Sequence, residues 1–227
     1  MKKTLLILTI LTIVVLSLSI FMVGCDKTKT EETEAEGKEA ILQNVKALVA
    51  GTKESTNYVF TYTEGNDSVV ITRDGDKLNN GDKRYAFKGE NDSKRVAVVS
   101  SKTIYVSDSN YDNAINSVME TLGTYTDDAV ESMPDTLEFK DKKVVTTKKK
   151  ETTVTYDLTI KGTYTAYGHT SNIDIAVHAI SKNGLIETIT LTQKIEGQED
   201  YVVTLSFVYG NASVTLPDFA DYNVITS

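Results

Sequence analysis

From Thr56 onward the apolar residues recur at every second position, and no other feature constrains the fold of this chain as strongly. Tyr58, Phe60 and Tyr62 alternate with Val59, Thr61 and Thr63. A strand turns successive side chains to opposite faces, so such a run is half-buried β structure rather than amphipathic helix. Gly65-Asn66-Asp67 and Asp74-Gly75 are turn signals flanking a second run, Val69 to Arg73. Tyr85 to Lys88, Arg95 to Ser100 and Thr103 to Val106 continue the pattern. After an interruption it resumes at Val154, Tyr156, Leu158 and Ile160, and again at Ile173, Ile175 and Val177. Asn183-Gly184 is a two-residue hairpin signal between His178–Ser181 and Leu185–Ile195. Tyr201 to Tyr209 reads as the last long strand, followed by Gly210-Asn211 and a short closing strand, Ala212 to Leu216. Short strands separated by turns predict an antiparallel meander.

Two stretches carry a helical period instead. Ile41, Leu42, Val45, Leu48 and Val49 place one apolar stripe on a helix over Glu39 to Ala50, with Gly51 positioned to end it. Ala114, Ile115, Val118, Met119 and Leu122 make a second stripe, over Asp112 to Leu122, with Gly123 after it. Thr126 is placed to cap a short third helix whose first turn holds Asp127 and Asp128, where negative charge suits the helix dipole. The expected class is α+β. The expected architecture is a highly curved antiparallel sheet, a half-barrel, with the N-terminal helix and the central helical insert on its concave face.

The first residues are of a different kind. Met1-Lys2-Lys3 is a short basic segment, and Leu5 to Val23 carries no charge and is dominated by Leu, Ile and Val. The run ends in Met22-Val23-Gly24-Cys25. Basic, apolar and small residues in that order form a secretory signal. The last four residues resemble the bacterial lipobox, with Met22 where the family prefers Leu. A plain membrane span would also fit the length of the run, about 20 residues. However, the only cysteine sits at its end, and Asp26-Lys27-Thr28 follows with no basic cluster to stop transfer. The resemblance implies that the Cys25 thiol carries a diacylglyceryl group and that residues 1–24 are removed. Two acyl chains anchor stably where one anchors only marginally. The partner so implied is the outer face of a cell membrane.

Asp26 to Gly37, DKTKTEETEAEG, has almost no apolar content and is expected to be a disordered tether averaging about 20 Å end to end. Residues 38–227 are then a single β-rich domain. The chain has 24 Lys and Arg against 32 Asp and Glu; loss of Lys2 and Lys3 with the signal leaves 22 against 32, or −10. That balance excludes nucleic acid as a partner, since binding it needs basic surface. With Cys25 committed to lipid, no disulfide, thiolate nucleophile or cysteine metal site remains.

A lipobox, an N-terminal amphipathic helix, a meander, a central helical insert and a closing strand before Val214-Thr215-Leu216-Pro217 together resemble the LolA-like and LppX-like lipoprotein superfamily. The resemblance rests on element order and spans most of residues 39–217. It implies binding of a lipid or other hydrophobic molecule between sheet and helices. Twelve Tyr and six Phe lie mostly in strands. A tyrosine pairs an apolar ring with a polar tip and suits the wall of a site for an amphiphile. Aromatics also favour strands for packing alone. The candidate ligand-contacting residues are Tyr58, Phe60, Tyr62, Tyr105, Ile115, Val118, Met119, Leu122 and Tyr156.

Catalytic and metal chemistry have little to build on. The two histidines are His178, within a strand, and His169, in a turn-like Tyr167-Gly168-His169-Thr170. No G-x-S-x-G, phosphate loop or zinc spacing is present. Asp108 to Asn113 begins like a calcium loop but lacks the sixth-position Gly, and Glu120 falls one residue late; Asn110 or Asp112 is expected to cap the next helix instead. No enzyme activity, cofactor or metal is expected. Three N-x-S sequons, at Asn66, Asn91 and Asn211, read as polar turns. Lys140, Lys142, Lys143, Lys148, Lys149 and Lys150 form a basic run that is either a solvated hairpin or a surface for anionic headgroups. The leading expectation is a lipid-binding or lipid-carrying lipoprotein. The alternative is a solid-cored accessory or sensor lipoprotein that docks on another envelope protein.

Overall fold

The computed structural model describes residues 28–166 and 169–226. The signal segment and Cys25 lie outside the described residues. Thirteen strands form one sheet, with helices on one of its faces. β1 (Lys29–Glu36) is followed by helix α1 (Lys38–Lys53), then by a meander of β2 (Asn57–Glu64), β3 (Asp67–Asp74), β4 (Lys77–Asn80), β5 (Arg84–Lys88), β6 (Lys94–Val98) and β7 (Thr103–Val106). Helices α2 (Asp108–Thr124) and α3 (Asp127–Ser132) interrupt it. Then come β8 (Glu138–Lys148), β9 (Glu151–Ala166), β10 (His169–Lys182), β11 (Leu185–Gln193), β12 (Tyr201–Tyr209) and β13 (Asn223–Thr226).

The spatial order is β1-β8-β9-β10-β11-β12-β2-β3-β4-β5-β6-β7-β13. The two meanders therefore join through β12 and β2, where Phe207 faces Phe60 and Tyr209 faces Tyr58. Every pairing is antiparallel except β13, which joins β7 in parallel, so the sheet is mixed where a purely antiparallel one was expected. The turn between β10 and β11 follows its sequence closely. Lys182 pairs with Leu185, and Asn183 and Gly184 take φ of 51° and 80°, the positive values that a two-residue hairpin of this twist requires.

The main core lies between the helices and one sheet face. It joins Ile41, Val45 and Val49 of α1 and Ile115, Val118 and Leu122 of α2 to the inward residues of β2–β6 and β8–β12. A second core lies on the opposite face. There Tyr85, Phe87, Ala97 and Ile104 are covered by the segment after β12 through Val214, Leu216, Phe219 and Tyr222. Phe219 stacks on Phe87 at 5.2 Å. The closing strand expected at Ala212–Leu216 is thus a strap, without strand pairing, whose Ala212 and Val214 are buried.

Four further expectations are corrected. Lys29–Glu36 is not a disordered tether but an edge strand along β8, held by the register Glu36↔Lys140, Glu34↔Lys142 and Thr33↔Lys143 and by a 2.8 Å Lys142–Glu32 ion pair. Glutamate content reads as solvent-loving only until a lysine-bearing strand lies beside it. Gly51 does not end α1; it lies inside it, and a Cβ there would sit 2.3 Å from the Gly184 carbonyl oxygen. α2 starts four residues before Asp112, and its N-cap is Ser107, whose side chain accepts from the Asn110 N–H. Thr126 stands at the N-cap of α3, but its hydroxyl donates backwards to the Leu122 carbonyl instead of capping forwards.

Candidate functional site

α1 runs along the sheet with its buried stripe on β11 and β8, and α3 lies beside α1 on the same face. Between them opens an apolar cleft. α1 contributes Val45 and Leu48 to it, and the α2–α3 joint contributes Tyr125 and Thr126. α3 and the residue after it add Ala129, Val130 and Met133. The floor is three strands: Tyr156, Leu158 and Ile160 of β9, Ile175, Val177 and Ala179 of β10, and Ile189 and Leu191 of β11. These floor residues sit at every second position because only one strand face looks inward. The space enclosed is about 30 Å³, room for a water or two.

The roof is fastened by charge. Lys53, Lys46 and Lys38, spaced along one side of α1, meet Asp127, Glu131 and Asp135 at 2.7, 3.4 and 3.0 Å. The Lys38 ammonium also donates to the Met133 carbonyl. Asp127 is buried, which raises its pKa, but the Lys53 ammonium, the Thr126 hydroxyl and a backbone N–H all favour the anion and hold it below the usual carboxylate range.

Polar groups sit at both ends of the cleft. At one end the Tyr125 hydroxyl bonds to that of Tyr62 at 3.0 Å. Tyr62 and Tyr201 both donate to the Glu64 carboxylate, Tyr201 at 2.8 Å. Those two donors hold the Glu64 carboxyl below its ordinary pKa, the Tyr62 bond being the larger cause. Tyr201 is pushed up to about 12, first by its bond to Glu64 and then by burial. At the other end the buried Asp141 carboxylate accepts from the Tyr156 hydroxyl at 2.6 Å, the Asn44 amide at 2.9 Å and the Ala35 N–H at 2.9 Å. One carboxylate thereby ties β8, β9, α1 and β1 together. Burial, reinforced by Asp141, raises the Tyr156 pKa, so this phenol remains a donor.

Of the nine candidate residues, only Tyr156 lines this cleft, and Tyr62 reaches it through Tyr125. Tyr58 and Phe60 pack on Phe207 in the core at 0% and 1% exposure. Ile115, Val118 and Leu122 are buried in that core, with the half-buried Met119 packed against it. Tyr105 lines a separate, more polar groove with Asn80, Arg84 and Asn110. Sequence reasoning missed every other lining residue as a ligand contact: it placed Val45, Leu48 and the strand residues in helix and strand stripes, and gave Tyr125, Ala129, Val130 and Met133 no role. Their signal is absent from any one segment, because it depends on where a short helix lands on distant strands. His178 lies on the opposite face and bonds Asp157 across the strand pair at 2.6 Å. The side chain of His169 lies outside the described residues. Asp108 to Asn113 forms the first turns of α2, not an ion-binding loop. Among the described residues no three His, Cys, Asp or Glu side chains are grouped to hold a metal, and no helix is long and apolar enough to cross a membrane.

The fold and cleft define an α+β protein built on a large open mixed sheet with helices covering one face. Comparison with protein-family models, curated proteins and solved structures finds no match to the chain.

Proposed function

We propose that this chain is a membrane-anchored extracytoplasmic lipoprotein that takes the apolar part of a lipid, or of another hydrophobic envelope molecule, into the cleft between α1, α3 and β9–β11. The supporting observation is the lining itself: two helices and three strands turn almost only aliphatic and aromatic surface into one space, with hydroxyls at its ends. The Met22-Val23-Gly24-Cys25 sequence supports the anchor at Cys25. On this reading the sheet is a curved half-barrel with the helices on its concave face, as in the LolA-like superfamily that the element order resembles. No bond chemistry is involved.

At about 30 Å³ the cleft is too small for an acyl chain as it stands, so a ligand enters by displacing α3. Six residues are too few for a helix to persist alone, so α3 exists only by its contacts. The Lys46–Glu131 pair among them is exposed, a kind worth about 0–1 kcal/mol. Organic extraction of the purified lipoprotein, followed by mass spectrometry, should yield a ligand beyond the Cys25 acyl chains. A fluorescent fatty acid should bind the full chain and lose binding in Leu191→Asp, a half-buried floor position. No extracted ligand together with no probe binding by the folded wild type overturns this reading.

A second reading, a module that docks on another envelope protein, draws on the uncovered face of β3, β2 and β12. Val70, Val202 and Val208 stand there 44%, 40% and 65% exposed. Its test is the outcome just named combined with loss of partner capture in Val208→Lys.

A further inference from the structure

The basic run between Lys140 and Lys150 is one stretch in sequence but two surfaces in the fold. Lys140 and Lys142 are engaged along β8: Lys140 pairs with Glu138 at 2.6 Å and Lys142 with Glu32 of β1 at 2.8 Å. Lys148, Lys149 and Lys150 are at the β8–β9 hairpin, where Lys148 faces Glu151 and the chain reverses through Lys149 at φ 58°. All three are exposed. Among the described residues Lys148 and Lys150 make no ion pair. The β10–β11 turn lies against this hairpin, Asn183 N–H donating to the Thr152 carbonyl at 2.8 Å and Asn183 Oδ1 accepting from the Thr152 N–H at 2.9 Å. That turn adds Lys182, which pairs with Glu151 at 3.0 Å.

The register of β1 decides where this lysine tip lies. β1 runs antiparallel to β8, and its first residue, Lys29, is opposite Thr147, next to the tip. Its last residue, Glu36, is at the far end of the ladder, opposite Lys140. The chain therefore enters the domain at the tip. Only residues 26–28 separate Lys29 from Cys25, and four fully extended steps span at most about 14 Å. A disordered twelve-residue tether would have let the domain tumble; a paired β1 does not.

We infer that the β8–β9 hairpin tip, Lys148, Lys149 and Lys150, is a docking surface for the anionic headgroups of the bilayer that holds Cys25. This rests on the reading of Cys25 as lipidated. An anchor of at most about 14 Å keeps the tip beside the surface and lets it approach the headgroups to within the Debye length of about 8 Å in physiological salt, where the attraction is not screened away. Lys148 and Lys150, exposed and without an ion pair among the described residues, against an otherwise acidic domain give a preferred orientation: tip down, with β8 and β9 leading away from the surface and the acidic remainder repelled from it.

The test is amine footprinting of the full lipidated protein on vesicles of phosphatidylcholine alone and of phosphatidylcholine with phosphatidylglycerol. Lys148 and Lys150 should acylate at least about fivefold more slowly on the anionic vesicles. Exposed Lys83, in the turn between β4 and β5, should label equally on both. High salt should erase the difference, and Lys148→Gln with Lys150→Gln should abolish the corresponding protection of Lys149. Flotation with both vesicle types but equal labelling of Lys148 and Lys150 on them overturns the docking surface alone. Failure to float with neutral vesicles overturns the lipidation reading, and the docking surface falls with it.

Discussion

Asp127 shows how one buried carboxylate can make the cleft roof sensitive to acid. Its folded pKa is depressed, so its contribution to stability is fully present above the unfolded value near 3.9 and is lost as pH falls through the lower folded value. Asp127→Asn removes the counter-charge of Lys53 and should cost about 1–3 kcal/mol at pH 7. In urea denaturation that deficit should shrink as pH falls below the unfolded value of about 3.9; a deficit independent of pH would show that charge is not the cause. Leu122 tests a different idea. Its side chain is 0% exposed and does not line the cleft, so Leu122→Ala should cost about 2–5 kcal/mol by cavity formation. Probe affinity should be unchanged wherever the variant is folded. This reverses the expectation from the sequence, in which the α2 stripe faces the ligand.

At the scale of elements, β1 is tied to the core by one buried side chain, Asp141. It is an exposed edge, and beyond its ladder to β8 its inward hold is the Ala35 N–H bond to Asp141. Asp141→Ala strands the buried Tyr156 hydroxyl and the Asn44 amide, at about 1–3 kcal/mol per unsatisfied group. A glutamate-specific protease should then cut at Glu31, Glu32 or Glu34, positions that resist it in the wild type; equal cutting of both would mean β1 is not held by Asp141. Strands with an apolar alternation, such as Asn57–Glu64 and Tyr201–Tyr209, were legible because one face meets the core and the other meets solvent. The amphipathic stripes of α1 and α2 were legible for the same reason. β1 was not, and β8 was read only as part of a possible solvated hairpin, because β1 is held by its backbone ladder to β8 with no apolar alternation of its own, and charge read one segment at a time predicts solvation. The strap from Ala212 to Leu216 was misread because alternating burial against a distant sheet face imitates the pattern of a paired strand.

For the whole molecule the decisive question is whether α3 moves. A core with about 30 Å³ of free space suits a docking module as it stands and suits a lipid binder only if the roof lifts. The roof's attachments divide unequally. Val130 is buried in the core and the Asp127 side chain is 9% exposed near the α2 joint, whereas those of Glu131 and Asp135 are 62% and 88% exposed, the half-buried Lys38 binding Asp135 and the Met133 carbonyl together. On the lipid-binding reading the joint end serves as the hinge, and the Glu131 end, held to α1 by an exposed pair, is the part that swings away. Replacing Lys46 and Glu131 with cysteines places two thiols at that free end, and the chain's other cysteine is Cys25 alone. Bridging the pair with a short bis-maleimide should abolish uptake of a fluorescent fatty acid, while the same variant left unbridged should bind it as the wild type does. Both forms should have the wild-type circular dichroism spectrum, since the bridge joins residues already in contact. Equal binding by bridged and unbridged protein would mean that the ligand enters elsewhere. Binding by neither, with the wild type also silent, would leave the valine-bearing face of β3, β2 and β12 as the working surface of the molecule.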